Sequence, residues 1–217
     1  DNPTPVLEWG RRIQQKRFLR KIYCEWYAAM VNVLPPPPGA VLELGSGGGF
    51  FGDFATDAIT SDVLPLPSVD VVLDACHPPL RPARLRAAVL TNVLHHLPDP
   101  GAFLHGMGAA VRPGGKMVMI EPWNTRWASF VYRRLHHEPF DPQAAEWRLP
   151  LGRPLSASNQ ALPWIIFHRD RDRFGQEFPE WRIESIRLLM PLRYLLSGGI
   201  TGPRLMPGWS FRFWTWI

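Results

Sequence analysis

The chain of 217 residues is 46% hydrophobic and 20% charged, an ordinary globular balance that suits one compact domain with a substantial core. No apolar run reaches the roughly 18 to 20 residues that a membrane span requires. The start, Asp1-Asn2-Pro3, has neither the basic residues nor the apolar stretch of a signal peptide, although a first residue other than Met leaves a removed leader open. The net charge of +5 rests on arginine, since Lys16, Lys21 and Lys116 are the only lysines. The arginines are scattered among acids, as in Arg169-Asp170-Arg171-Asp172-Arg173, so a general surface property is the leading reading and nucleic acid the lesser one.

Along the chain, Trp9 to Val33 is expected to be helical, because Ile13, Phe18, Ile22, Tyr23, Trp26 and Met30 recur at spacings of three to five. Pro35 to Pro38 and Gly39 stop that helix, since proline lacks the donor and clashes with the preceding turn. Residues 1–38 therefore form a helical arm with a proline hinge, and residues 39–217 the main domain. Strand then alternates with turn and helix: Val41–Leu44, Ala58–Asp62, Val69–Asp74 and Arg86–Thr91 are expected strands, with a short helix near Phe50–Ala55. Pro100–Val111 is a helix, and Lys116–Glu121 a fifth strand after the turn Arg112-Pro113-Gly114-Gly115. This alternation predicts a doubly wound, mainly parallel α/β sheet with helices on both faces. Residues 122–180, rich in Trp, Pro and His, read as an insertion or lid, with helices near Thr125–Leu135 and Pro163–Phe174. Trp181–Leu189 is expected to be a sixth strand; a seventh has no visible place in the tail. Cys24 and Cys76 form no metal or redox spacing, so a reducing cytoplasm is expected.

The most informative stretch is Glu43-Leu44-Gly45-Ser46-Gly47-Gly48-Gly49 directly after a strand. Glycines there let the backbone turn sharply and approach a ligand where a Cβ would collide. At the carboxyl end of a parallel strand, such an approach builds a nucleotide crevice. The pattern is E-x-G-x-G-x-G rather than the dinucleotide fingerprint, because Phe50 stands where the third glycine would be. Asp62 ends the second strand, where a carboxylate can accept from ribose hydroxyls. Asp74-Ala75 ends the third, where one can meet an adenine amino group.

From Val41 to Pro122 the chain resembles the class I S-adenosylmethionine-dependent methyltransferase superfamily. The resemblance is carried by V-L-E-L-G-S-G-G-G-F, S-D-V, V-D-V-V-L-D-A, L-T-N-V-L-H-H-L-P-D-P and V-R-P-G-G-K-M-V-M-I-E-P in that order. It implies a Rossmann-like fold and S-adenosylmethionine as cofactor. Glu43, Gly45, Ser46 and Gly47 would hold its methionine end, Asp62 and Val63 its ribose, Asp74 and Ala75 its adenine. Asn92 would line the methyl-transfer region. The part beyond Tyr132 resembles a bacterial, small-molecule-type branch of the same superfamily. The departures are a short first helix, the proline pair Pro78-Pro79 and the missing final strand.

Methyl transfer needs alignment above all, and a base only where the acceptor must lose a proton. His95, His96, His136 and His137 are the candidate catalytic residues, with His168, Glu121 and Glu138 behind them. A metal set can be drawn from His136, His137 and Glu138 with His95 or His96, but a metal is not expected, because adjacent histidines on a helix diverge and no H-x-x-x-H spacing occurs. Trp123, Trp127, Phe140, Trp147, Trp164 and Phe167 are candidates for an apolar acceptor pocket. The expected partner is a small-molecule acceptor, apolar, lipid-linked or glycan in character. The alternatives are an RNA or protein methyltransferase, against which no Asn-Pro-Pro-Tyr or Asp-Pro-Pro-Tyr stretch follows the fourth strand, and a non-catalytic membrane-peripheral module. For the last, the basic arm residues Arg11, Arg12, Lys16, Arg17, Arg20 and Lys21 would face anionic lipid.

Overall fold

A computed structural model describes residues 4–135, 138–149, 157–190 and 192–215. Its centre is a sheet of five strands, β1 (Ala40–Leu44), β2 (Ala58–Asp62), β3 (Val71–Val72), β4 (Leu85–Thr91) and β5 (Val111–Ile120), in the order β3-β2-β1-β4-β5. Every pairing is parallel, and the order reverses direction between β1 and β4. The expected α/β, doubly wound architecture is therefore present, and a crevice opens at the carboxyl ends where the order reverses.

Side-chain alternation along these strands feeds two cores. Leu42, Leu44, Ala88 and Leu90 point to one face, against α3 (Pro100–Ala110) and α5 (Leu162–Trp164), with a π turn (Ile165–Arg169) and α6 (Arg171–Glu177) completing that layer. Val41, Ala87 and Val89 point to the other, against α2 (Arg17–Val31). Proline at the first position of α3 and the Asp99 carboxylate, which accepts from Ala102 N at 3.0 Å, start that helix sharply.

The expected single leading helix is two, α1 (Thr4–Gln15) and α2, broken at Lys16. The break has a physical cause. Lys16 turns inward, and its ammonium donates to the carbonyls of Gly199, Ile200 and Gly202 at 2.7, 3.1 and 2.6 Å. In α2, Phe18, Leu19, Ile22, Tyr23, Trp26, Tyr27 and Met30 form one buried stripe at helical spacing. At about 1.5–3 kcal/mol for each fully buried large side chain, that stripe is a main support of the sheet. Arg11, Arg17, Arg20 and Lys21 stay exposed on the other side.

Several expected boundaries shift. The third strand is only Val71–Val72, because Asp70 and Leu73 bond outside a regular ladder, to Thr60 O and Asp62 O. The first helix shrinks to a 3-10 turn, Phe51–Asp53. The expected sixth strand does not form: residues 181–190 belong to no strand, since no neighbouring chain lies in register with them among the described residues. Helix α4 (Arg126–Leu135) matches its expected place, and α7 (Arg193–Ser197) packs on α2. No helix of the described residues is long and apolar enough to cross a membrane.

Candidate functional site

The glycine turn leaves β1 with two left-handed residues, Gly45 (φ +63°) and Gly47 (φ +51°). A Cβ on Gly45 would lie 2.5 Å from Val93 Cγ2, so the loop after β1 and the loop after β4 touch only because glycine stands there. Two carboxylates organise the turn. Glu43 Oε2 accepts from Ser46 Oγ at 2.7 Å, and Asp62 Oδ2 accepts from Gly47 N at 2.9 Å while Oδ1 accepts from Leu64 N at 2.9 Å. Burial, together with the nearby Asp62, pushes the Glu43 carboxyl up to about 7 against the opposing Ser46 hydrogen bond. Val63 is exposed beside Asp62.

Asp74 closes on its own loop, accepting from Cys76 N at 2.8 Å and pairing with His77 Nδ1 at 2.9 Å. Ala75 beside it is buried. Asn92 sits in left-handed backbone (φ +58°), with its N–H on Ile120 O at 2.8 Å. Such a conformation costs energy for any residue with a Cβ, and asparagine tolerates it best. Its side chain meets the buried Tyr23 hydroxyl from α2.

Beyond Asn92 the chain turns through a 3-10 helix, Leu94–His96. Glu121, at the end of β5, holds this turn: Oε1 accepts from Val93 N and Leu94 N, both at 2.8 Å, and Oε2 lies 2.7 Å from His95 Nδ1. A carboxylate only accepts, so the proton of neutral His95 sits on Nδ1 and Nε2 is left with a lone pair. That nitrogen and His96 Nε2 each lie 4.0 Å from Glu138 Oε2. Burial and the neighbouring His95 hold His96 below the usual imidazole range.

One cavity of about 2130 Å³ is lined by Glu43, Gly45, Ser46, Gly47, Asp62, Val63, Asp74, Ala75, Asn92, His95 and His96. The fold thus brings together the cofactor-side candidates and two of the four candidate histidines. His136 and His137 lie outside the described residues. His168 packs by its ring against Trp123 and Trp164 instead. Sequence reasoning underrated Glu121, whose position at a strand end was visible but whose partners were not. It also missed the aromatic wall of Tyr132 and Tyr194, contributed by the segments after β5.

Several of the aromatics singled out in the sequence belong to the core: Trp147 is buried, and Phe140, Trp164 and Phe167 pack against it. Trp123, Trp127 and also Phe167 line the cavity. Across the glycine turn lies α1, since a Cβ on Gly48 would come 2.3 Å from Gly10 N.

Comparison with known proteins places this geometry in context. Residues 15–187 match the model of a family described as methyltransferase domain. No curated protein matches the chain. A candidate methyltransferase in complex with the Haloferax volcanii Trm112 methyltransferase activator superposes with a TM-score of 0.54 at 12% identity, over 79% of this chain and 75% of that one. A SAM-dependent methyltransferase from Thermotoga maritima superposes with a TM-score of 0.50 at 14% identity, over 81% and 80%. A candidate methyltransferase from Bacillus halodurans is 20% identical over 51% of this chain, with a TM-score of 0.41, and the match spans 57% of its length.

Proposed function

The chain belongs to the methyltransferase-domain family, and on that premise we propose that it transfers a methyl group from S-adenosylmethionine to a small-molecule acceptor. The observation that carries the reading is the glycine cradle between two carboxylates, Glu43 and Asp62, opening into the cavity that holds Asn92, His95 and His96. These residues fit the cofactor. Glu43 is a buried acid suited to a cationic group, and each Asp62 oxygen keeps a lone pair for a ribose hydroxyl.

When bound, S-adenosylmethionine supplies an already activated methyl group. Gly45, Ser46 and Gly47 would receive its methionine end, Asp62 and Val63 its ribose, and Asp74 and Ala75 its adenine. The protein's task is then alignment and exclusion of water. Helix α1, by the contact of Gly10 with Gly48, closes the crevice from one side. The segment after β5 shapes the acceptor side, where Trp123, Trp127 and Tyr132 line the cavity. The polar cluster of His95, His96, Glu121 and Glu138 meets an acceptor that must lose a proton. The reading places the enzyme in a reducing cytoplasm, where Cys24 and Cys76 remain thiols.

Calorimetric titration with S-adenosylmethionine and S-adenosylhomocysteine tests the proposal. Micromolar binding is expected, weakened at least about tenfold in Asp62→Ala, because hydrogen bonds to a charged group are worth about 1.5–3 kcal/mol each. A folded chain that binds neither compound would defeat the reading.

A further inference from the structure

Spacing along the chain argues against a metal ion, yet the fold collects a ligand set that spacing does not show. Donor atoms of His95, His96 and Glu138 all lie within 4.8 Å of one another. The two histidine rings are 4.2 Å apart and tilted by 41°, so both face the same space although they are adjacent in sequence. Both stand in the 3-10 turn Leu94–His96 after β4.

We propose that His95 Nε2, His96 Nε2 and the Glu138 carboxylate bind a divalent transition-metal cation on the acceptor side of the cavity. Two imidazoles and one carboxylate suit zinc, iron, cobalt or manganese rather than magnesium or calcium. Metal bonds of about 2.1 Å require donors about 3.4 Å apart in a tetrahedral site. The 4.0 Å separations between each histidine and Glu138 close to that value by a small movement of Glu138. Glu138 follows α4 and is only half-buried, and the Gln160 amide ahead of α5 donates to its Oε2.

The support for the set is already built. Glu121 accepts from His95 Nδ1, as an outer carboxylate does for a ligating histidine, and so fixes the tautomer that turns the Nε2 lone pair toward the cavity. The three donors leave coordination positions open on the cavity side, where an oxygen of the acceptor would bind. That role rests on the methyl-transfer reading and narrows the acceptor to one bearing a hydroxyl or carboxylate oxygen. Binding of the metal does not depend on it. Glu121 acts through His95 and is a positioning residue.

The test is titration of the metal-stripped chain with Zn²⁺ by calorimetry and with Co²⁺ by visible absorption, each sample also titrated with S-adenosylhomocysteine. The expected result is one equivalent bound with a cobalt d–d band, lost in His96→Ala and in Glu138→Gln while S-adenosylhomocysteine still binds. Glu121→Gln keeps an acceptor for Val93 and Leu94 but faces His95 with the wrong partner, and is expected to weaken Zn²⁺ binding about 10- to 100-fold. A wild-type chain that binds S-adenosylhomocysteine but neither metal overturns the inference and leaves the methyl-transfer proposal standing. Metal binding undiminished in both His96→Ala and Glu138→Gln overturns it equally.

Discussion

Glu43 shows how one buried group couples folding to the site. Its carboxyl titrates near 7 in the folded chain, against 4.5 for the ordinary group, chiefly through burial. The folded state therefore holds a proton that the unfolded state has released between those two values. Stability from this group is present below about pH 4.5, declines as pH rises, and is gone above about 7, a difference of about 3 kcal/mol at most. Glu43→Gln is neutral throughout, so its ligand-free melting temperature should exceed that of the wild type at pH 8 and match it near pH 4.5. Equal melting curves at pH 8 would mean that the carboxylate is not desolvated. The same substitution should weaken S-adenosylmethionine binding above pH 7, because the methyl donor is cationic and only the ionised Glu43 attracts it. At this scale much of the site was legible: the glycines and the acids at strand ends carry their chemistry in their residue type and position. Tyr194 was not legible as a site residue, because an aromatic on a helix reads as core until its hydroxyl is placed.

The elements that cover the crevice are the arm helices α1 and α2. Apolar residues at spacings of three to five placed a helix here, and the stripe of α2 from Phe18 to Met30 is buried. The kink at Lys16 was invisible, because a lysine inside a helical pattern gives no signal until its ammonium finds three carbonyls from a segment more than 180 residues away. The approach of α1 to the glycine turn is set by Gly10 and Gly48, whose backbones leave no room for a methyl group. Gly48→Ala should push α1 away, destabilise the chain by about 1–3 kcal/mol as overpacking does, and weaken cofactor binding. Thermal melts and calorimetry check both. An unchanged affinity would show that α1 does not contribute to the cofactor side.

Across the whole molecule, order is uneven. Strands β1 and β4 lie inside the sheet with nearly every side chain buried, whereas residues 182–189 make no backbone–backbone hydrogen bond to another described residue. Amides of 182–189 should therefore exchange with solvent orders of magnitude faster than those of Leu85–Thr91, as mass-resolved hydrogen exchange would record. Protection comparable to β4 would mean that the segment finds a partner in solution. The expectation of a strand there came from a loose alternation at Ile183, Ser185 and Arg187, and it failed because a strand exists only with a neighbour in register. The sequence by itself determined the succession of strands and helices along the chain up to β5, the glycine turn and the acids around it, since period, turn chemistry and strand-end position are local properties. Only the tertiary structure decided that His95, His96 and Glu138 share one space, that Glu121 orients His95, and that the arm lies across the turn. Those relations join residues from separate elements, and the packing of the elements, rather than any spacing along the chain, sets their distances.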